Sequence, residues 1–281
     1  HRNCYRKPSR ASISANAMKI LITSRKARIY CLILLALALL LAAAMLPPTP
    51  QSLLYHEFAD QRSYWNIPNF LNVVSNLILL VVGIAGLLYL KKELTSQQHQ
   101  SSSTEVRLYR LVFVSTGAAC LGSMYYHWEP NLISLFWDRL PIAIGFTSLL
   151  AATLVDRFTT HWLNYFVILL PIAGAMSTLY WLWSELNHAG NLNFYIAAQF
   201  CSIGLILLLV SGFPSRHTHA SQIYLVMFFY GLAKLAEIAD QEIYQLGNIV
   251  SGHTLKHVLA GFAAYFILHM LKIRKLKSSD E

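Results

Sequence analysis

The stretch Ser251-Gly-His-Thr-Leu-Lys-His257 runs directly into Val258-Leu-Ala-Gly-Phe-Ala-Ala-Tyr-Phe-Ile-Leu268. On a helix, positions four apart share a face, so His253 and His257 lie one turn from each other. The apolar run that follows is near the ~20 residues a bilayer span requires. Two imidazoles at the mouth of a membrane helix are costly, and such an intramembrane pair marks a functional site. A metal ion is their direct use. The ordinary structural alternative is a pair of histidines hydrogen-bonded at the interface.

The rest of the chain suits such a helix. Of the 281 residues, 56% are hydrophobic and 12% charged, against about 25% charged in a soluble domain. The composition predicts an all-α, multi-pass membrane protein. Its net charge of +9 does not require nucleic acid, because Lys and Arg gather in short loops and tails. Apolar segments at 69–90, 108–127, 138–155, 162–183, 191–212, 218–239 and 254–272 predict a seven-transmembrane-helix core bundle. One more hydrophobic stretch, at 30–47, ends on Pro47-Pro48 and reads as a signal anchor or extra span; Ala42-Ala-Ala44 keeps cleavage open. Residues 1–29 form a basic extension, partly non-native or disordered, with Met18 as the expected start. The membrane domain is 48–272, and 273–281 is a tail. Cys4, Cys31, Cys120 and Cys201 have neither a disulfide pattern nor metal-ligand spacing.

Basic residues cluster at Lys19–Arg28, Lys91, Lys92, Arg107, Arg157, Arg216 and Lys272–Lys277, whereas the opposite loops carry little beyond Arg62 and Arg139. The positive-inside rule puts the first set and the C-terminus in the cytoplasm. The start of the His253 helix then faces the periplasm or a lumen.

Other residues converge on that layer. The 108–127 segment finishes with Gly122-Ser-Met-Tyr-Tyr-His-Trp128, where Ser123 and His127 share a helical face. After a connection at 129–136, the next span is expected to open on Trp137-Asp-Arg-Leu-Pro141. Pro141 suits a first turn, and Asp138 would sit near the positive end of that helix. Singly, each has a plain structural reading: an interface histidine, a cap, a small residue for helix packing. Together, His127, His253 and His257 make the ligand set of a catalytic zinc site with one open position.

Ser-x3-His ending one membrane helix, Asp opening the next and His-x3-His opening the last resembles the seven-helix membrane hydrolase superfamily that includes alkaline ceramidases and adiponectin receptors. The wording Tyr-Tyr-His-Trp…Trp-Asp-Arg-Leu-Pro and Asn69-Phe-Leu-Asn-Val-Val-Ser-Asn76 is similar to the alkaline ceramidase branch, from about Asp60 to the tail. The resemblance implies that His127, His253 and His257 bind Zn2+, with Asp138 and Ser123 completing a catalytic site. It also implies a calcium site before the first core helix, for which Asp60, Asn66, Asn69 and Asn72 are the candidates here. That segment has one carboxylate where the family shows several and includes Arg62, whereas Ca2+ takes six to eight oxygens. Capping and loop folding are therefore the expected roles of these four.

The implied activity is hydrolysis of the N-acyl amide of ceramide or a related membrane lipid. Asp138 would relay the proton and Ser123 donate to the developing oxyanion. Tyr126, Arg139, Lys234 and Glu237 are candidate substrate contacts, although a Lys234–Glu237 ion pair is expected first; Asp240 follows at the same three-residue step. His161, His188, His217, His219 and His269 lack a partner motif and receive no role. The alternative is a receptor-like or scaffolding seven-helix protein with structural zinc. A transporter fits less well, since no paired, broken helices relate two halves.

Overall fold

The computed structural model describes residues 24–95, 102–158 and 163–277. The described chain is helical throughout, with isolated bridges at Tyr64–Ile67 and His217–Leu276 and no β-strand. Helix α1 (Arg25–Met45) is followed by a 3-10 turn (Leu53–His56), α2 (Phe70–Val74), α3 (Leu77–Thr95) and α4 (Ser103–Trp128). Next come α5 (Leu132–Arg157), α6 (Leu163–Phe166), α7 (Leu169–Leu186), α8 (Asn193–Ile196) and, after a π-helical turn at Ala197–Cys201, α9 (Ser202–Gly212). The chain closes with α10 (Ile223–Ile238), α11 (Asp240–Gln245) and α12 (Gly252–Ile273).

Six helical runs are long and apolar enough to cross a bilayer, which makes this an integral membrane protein: Arg25–Met45, Phe70–Glu93, Leu132–Arg157, Leu163–Leu186, Asn193–Gly212 and Gly252–Ile273. The expected count of seven plus one is thus not reached on these criteria. Helix α4 has the length, 26 residues, but it carries polar groups such as Ser115, Ser123 and His127 on a buried face. Helix α10 is too short, at 16 residues, because the chain enters it through a 3-10 turn at Ala220–Gln222. The first hydrophobic helix begins at Arg25 rather than at residue 30, whereas residues 1–23, the expected start at Met18 included, lie outside the described residues.

Helices α4 and α5 pack along each other most extensively, and α10 on α12, α7 on α5 and α3 on α4 build the rest of the bundle. Lipid tails are as apolar as leucine, so small residues that admit close backbones do much of this packing. Gly83 meets the backbone of Gly117, and Gly122 meets the backbone of Trp137. One apolar cluster (Leu90, Phe113, Ile206, Leu268) fills the half of the bundle away from the histidines, and a second (Phe58, Tyr126, Leu135, Trp181) lies beneath the loop before α2. Helix α1 is mostly exposed and is moored at both ends: Arg28 Nη1 donates to the Gly212 carbonyl at 2.6 Å, and Asn193 Nδ2 to that of Pro47 at 3.0 Å.

The connection between α4 and α5 is shorter than expected. Asn131 caps α5 reciprocally with Ser134, each side chain accepting the other's backbone N–H, at 2.9 and 3.0 Å. The helix therefore starts at Leu132, which leaves Pro141 inside it and Asp138 in its second turn. The expectation that Pro141 opens the helix, with Asp138 at its positive end, is corrected accordingly.

At the end of the bundle away from the histidines, Glu105, Asp156 and His217 are buried within 4.8 Å of one another. Both carboxylates are paired with cations: Arg274 lies 2.7 Å from Glu105 Oε1 and Arg216 3.8 Å from its Oε2, and Arg157 and His217 each lie 2.7 Å from Asp156. This ionic cluster ties α4, α5 and the tail together, so His217 has a structural partner that the sequence did not reveal.

Candidate metal centre

The histidines reach their positions through local backbone devices. Ser251 caps α12 by accepting the N–H of Thr254 at 3.1 Å. Gly252 lies so close to the backbone of Ala236, Ala239 and Asp240 that a Cβ would collide with it. Asp240 receives the N–H groups of His253 at 2.7 Å and Ala59 at 3.0 Å, clamping the start of α12 to the loop before α2. From α4, His127 arrives with its carbonyl accepting Asn69 Nδ2 at 2.8 Å.

The result is a tight triangle of imidazoles. His253 Nε2 stands 3.2 Å from His127 Nε2, which stands 3.3 Å from His257 Nε2. A neutral ring nitrogen offers one proton or one lone pair, so His127 Nε2 cannot satisfy both neighbours at once. A cation accepting the lone pairs resolves that conflict, and this buried group can hold a metal ion. His257 Nδ1 lies 2.8 Å from Ser75 Oγ; with a proton donated there, its Nε2 turns a lone pair inward. Ser75 reaches this place because the chain breaks at Ser75-Asn76 between α2 and α3. Phe58 seals the outer face, its ring 4.6 Å from that of His127 and 5.1 Å from that of His253.

No family model matches the chain, and no curated protein does.

Ser123 Oγ is 3.5 Å from His257 Nε2, and the Asp138 carboxyl lies alongside Ser123. The close approach of α4 and α5 sets this pairing. Pro141 has no N–H to give the Trp137 carbonyl four residues back, and Gly122, without a Cβ, lies directly against that carbonyl.

Ser123, Asp138 and His257 open into a cavity of ≈ 190 Å3 that also touches Arg139, Lys234, Glu237 and Lys256. Deeper in, its walls are mostly apolar, with Ser115 and Thr116 among them, and follow α12 to Ile267, about 15 Å from His257 at ~1.5 Å per residue.

The candidate substrate contacts divide. Arg139, Lys234 and Glu237 line the cavity. Tyr126 does not: its hydroxyl donates to the Tyr55 carbonyl at 3.0 Å and meets His56 Nδ1 at 3.1 Å, so that expectation is corrected. The Lys234–Glu237 pair forms at 2.6 Å. Lys256 joins it unforeseen, 3.2 Å from Glu237 and 2.6 Å from His253 Nε2. The Tyr55 hydroxyl donates to Glu237 at 3.2 Å; burial, with this carboxylate beside it, pushes its pKa up to about 12.

The calcium candidates are committed to the protein. Both Asp60 oxygens are held by Arg62, at 2.8 and 2.7 Å. Burial pushes the Asp60 carboxyl up, but the bonds from the Arg62 side chain and backbone outweigh it and hold the carboxyl below its ordinary range. Asn69 tethers His127 as above, Asn72 Oδ1 accepts Thr254 Oγ1 at 2.8 Å, and Asn66 takes a left-handed turn position. These contacts fold the loop and tether it to α4 and α12; Asn69, at the N-cap position of α2, makes no side-chain cap bond.

Lys256, inside the His-x3-His motif, carries no signal of its pairing with Glu237, which only the fold brings about. Asp240, expected at the end of the polar i, i+3 series, serves as a backbone clamp rather than as a member of the Lys234–Glu237 cluster.

Proposed function

We propose that this protein is a zinc-dependent intramembrane amidohydrolase that cleaves the N-acyl amide of ceramide or a related lipid, giving a fatty acid and a long-chain amine. The observation that carries the reading is the buried imidazole triangle opening, beside Asp138 and Ser123, into a cavity that is polar at one end and apolar at the other. Three histidines with an open side suit a catalytic zinc ion. The motif resemblance to alkaline ceramidases supports the same reading.

A zinc ion bound there lowers the pKa of water to about 7 and polarises a carbonyl oxygen. Asp138, buried at the cavity wall, takes the proton from the attacking water and returns it to the departing amine nitrogen. The Ser123 hydroxyl donates to the carbonyl oxygen as it gains charge. The apolar depth along α12 accepts the acyl chain and keeps water from it. Lys256 has to leave His253 for Glu237, which it already touches, when a divalent cation claims the same lone pair. In this reading α4 and α10 cross the bilayer as well, completing a seven-helix core with its C-terminus in the cytoplasm and the zinc site toward the periplasm or lumen.

The test is release of fatty acid from a panel of N-acyl lipids by the purified protein and by Asp138→Ala. Turnover that depends on Asp138 supports the hydrolase. Metal binding without turnover on any member of the panel would instead favour a scaffold with structural zinc.

A further inference from the structure

Arg139 is only 6% exposed, yet its Nη1 has no hydrogen-bond partner. The guanidinium is held by aromatic faces instead: Trp181 at 4.4 Å, Tyr195 at 5.0 Å and Tyr55 at 5.1 Å from their ring centroids. Aromatic faces stabilise a cation without using its N–H donors, so a residue that lines the cavity keeps a buried charged donor unspent. The charges around the cavity point the same way. Arg139, Lys234 and Lys256 face only two carboxylates there, Asp138 and Glu237, and Glu237 already serves both lysines. A bound divalent cation widens that excess. An uncompensated buried cation is expensive, and a ligand anion removes the cost.

Resting on the hydrolase reading, we propose that the lipid this site takes carries an anion, a phosphate, sulfonate or carboxylate, on its amine portion, and that the Arg139 guanidinium binds it. The position of Arg139 decides which end of the lipid is meant. It lies next to Asp138 and under Tyr55 of the loop before α2, at the polar end of the cavity, while the apolar end runs away toward Ile267. Guanidinium donors form a fork that matches such planar or tetrahedral anions.

The experiment is competitive binding to the purified full chain in detergent, using N-dodecanoyl taurine, the neutral N-dodecanoyl ethanolamine and dodecanoate. Binding needs no turnover, so the result stands apart from whether the protein hydrolyses anything. The taurine conjugate is expected to bind at least about tenfold more tightly than the ethanolamine conjugate, the factor a charge-assisted hydrogen bond carries. In Arg139→Met that ratio falls toward one, and Arg139→Lys restores part of it. Equal binding of the two conjugates by the unaltered protein would overturn the proposal even if no variant folds. So would a ratio that survives in Arg139→Met, or dodecanoate binding as tightly as the taurine conjugate, which would assign the anion to the acyl end.

Discussion

Gly122→Ala is the smallest change that should pull the centre apart. A Cβ at this position would stand 2.6 Å from the Trp137 carbonyl carbon and 2.9 Å from the Asp138 nitrogen, where ordinary contact begins at 3.4 Å. The obstructing atoms are backbone, so no side chain can rotate away, and because the Trp137 carbonyl oxygen stands nearer still, α4 and α5 must part by at least roughly 0.8 Å. Overpacking of this kind costs about 1–3 kcal/mol. The same shift separates Ser123 and His127 on α4 from Asp138 on α5, and a misplacement near 1 Å can cost about 100-fold in rate. Gly117→Ala is the matched control on the same helix, since its Cβ would meet nothing nearer than Leu80 Cδ1 at 3.9 Å; it should gain up to ~1 kcal/mol from helix propensity. Thermal unfolding in detergent and zinc titration of both proteins give the result without any assumption about substrate. Gly122→Ala is expected to melt lower and bind zinc more weakly, and Gly117→Ala to match or exceed the unaltered protein. If the two variants behaved alike, the close approach of α4 and α5 would not be what positions the site.

Other outcomes follow from single contacts. Ser75→Ala removes the partner 2.8 Å from His257 Nδ1 and should weaken zinc binding about 10–100-fold in a chelator competition; unchanged affinity would mean that packing alone orients the ring. Lys256→Met relieves the ammonium at His253 Nε2 and should tighten zinc at least about tenfold; weaker binding would show that the lysine supports the metal. Asp60 has a lowered folded pKa because of Arg62, so its contribution to stability is complete above the unfolded value near ~3.9 and fades as pH falls through the lower folded value. Melting temperature should therefore drop more steeply below about pH 4 in the unaltered protein than in Asp60→Asn; parallel curves would contradict the pairing.

Much of the bundle was legible because helical periodicity and apolar length are local. The His253/His257 face and the Ser123/His127 face follow from spacing alone, and their meeting follows from the alternation of spans. The start of α5 was misplaced because Pro141 drew the boundary: a proline in a soluble helix interior costs ~3 kcal/mol, but membrane helices tolerate one. The Asn131…Ser134 capping pair was the better signal. Helix α4 looked like an ordinary span in the sequence, but its buried polar residues set its average apolarity below that of the six spanning runs. Lys256 and Asp240 were opaque for another reason. Their partners, Glu237 and the His253 N–H, lie across a turn whose geometry no periodicity encodes.

The most direct test of the central claim is the zinc content of the purified protein, measured by elemental analysis beside His253→Ala, with thermal unfolding to establish that the variant is folded. Close to one zinc per chain, lost on the substitution, is the expected result. Equal metal in both proteins, or none in the folded unaltered protein after zinc is supplied, would contradict the three-histidine centre and the hydrolase built on it.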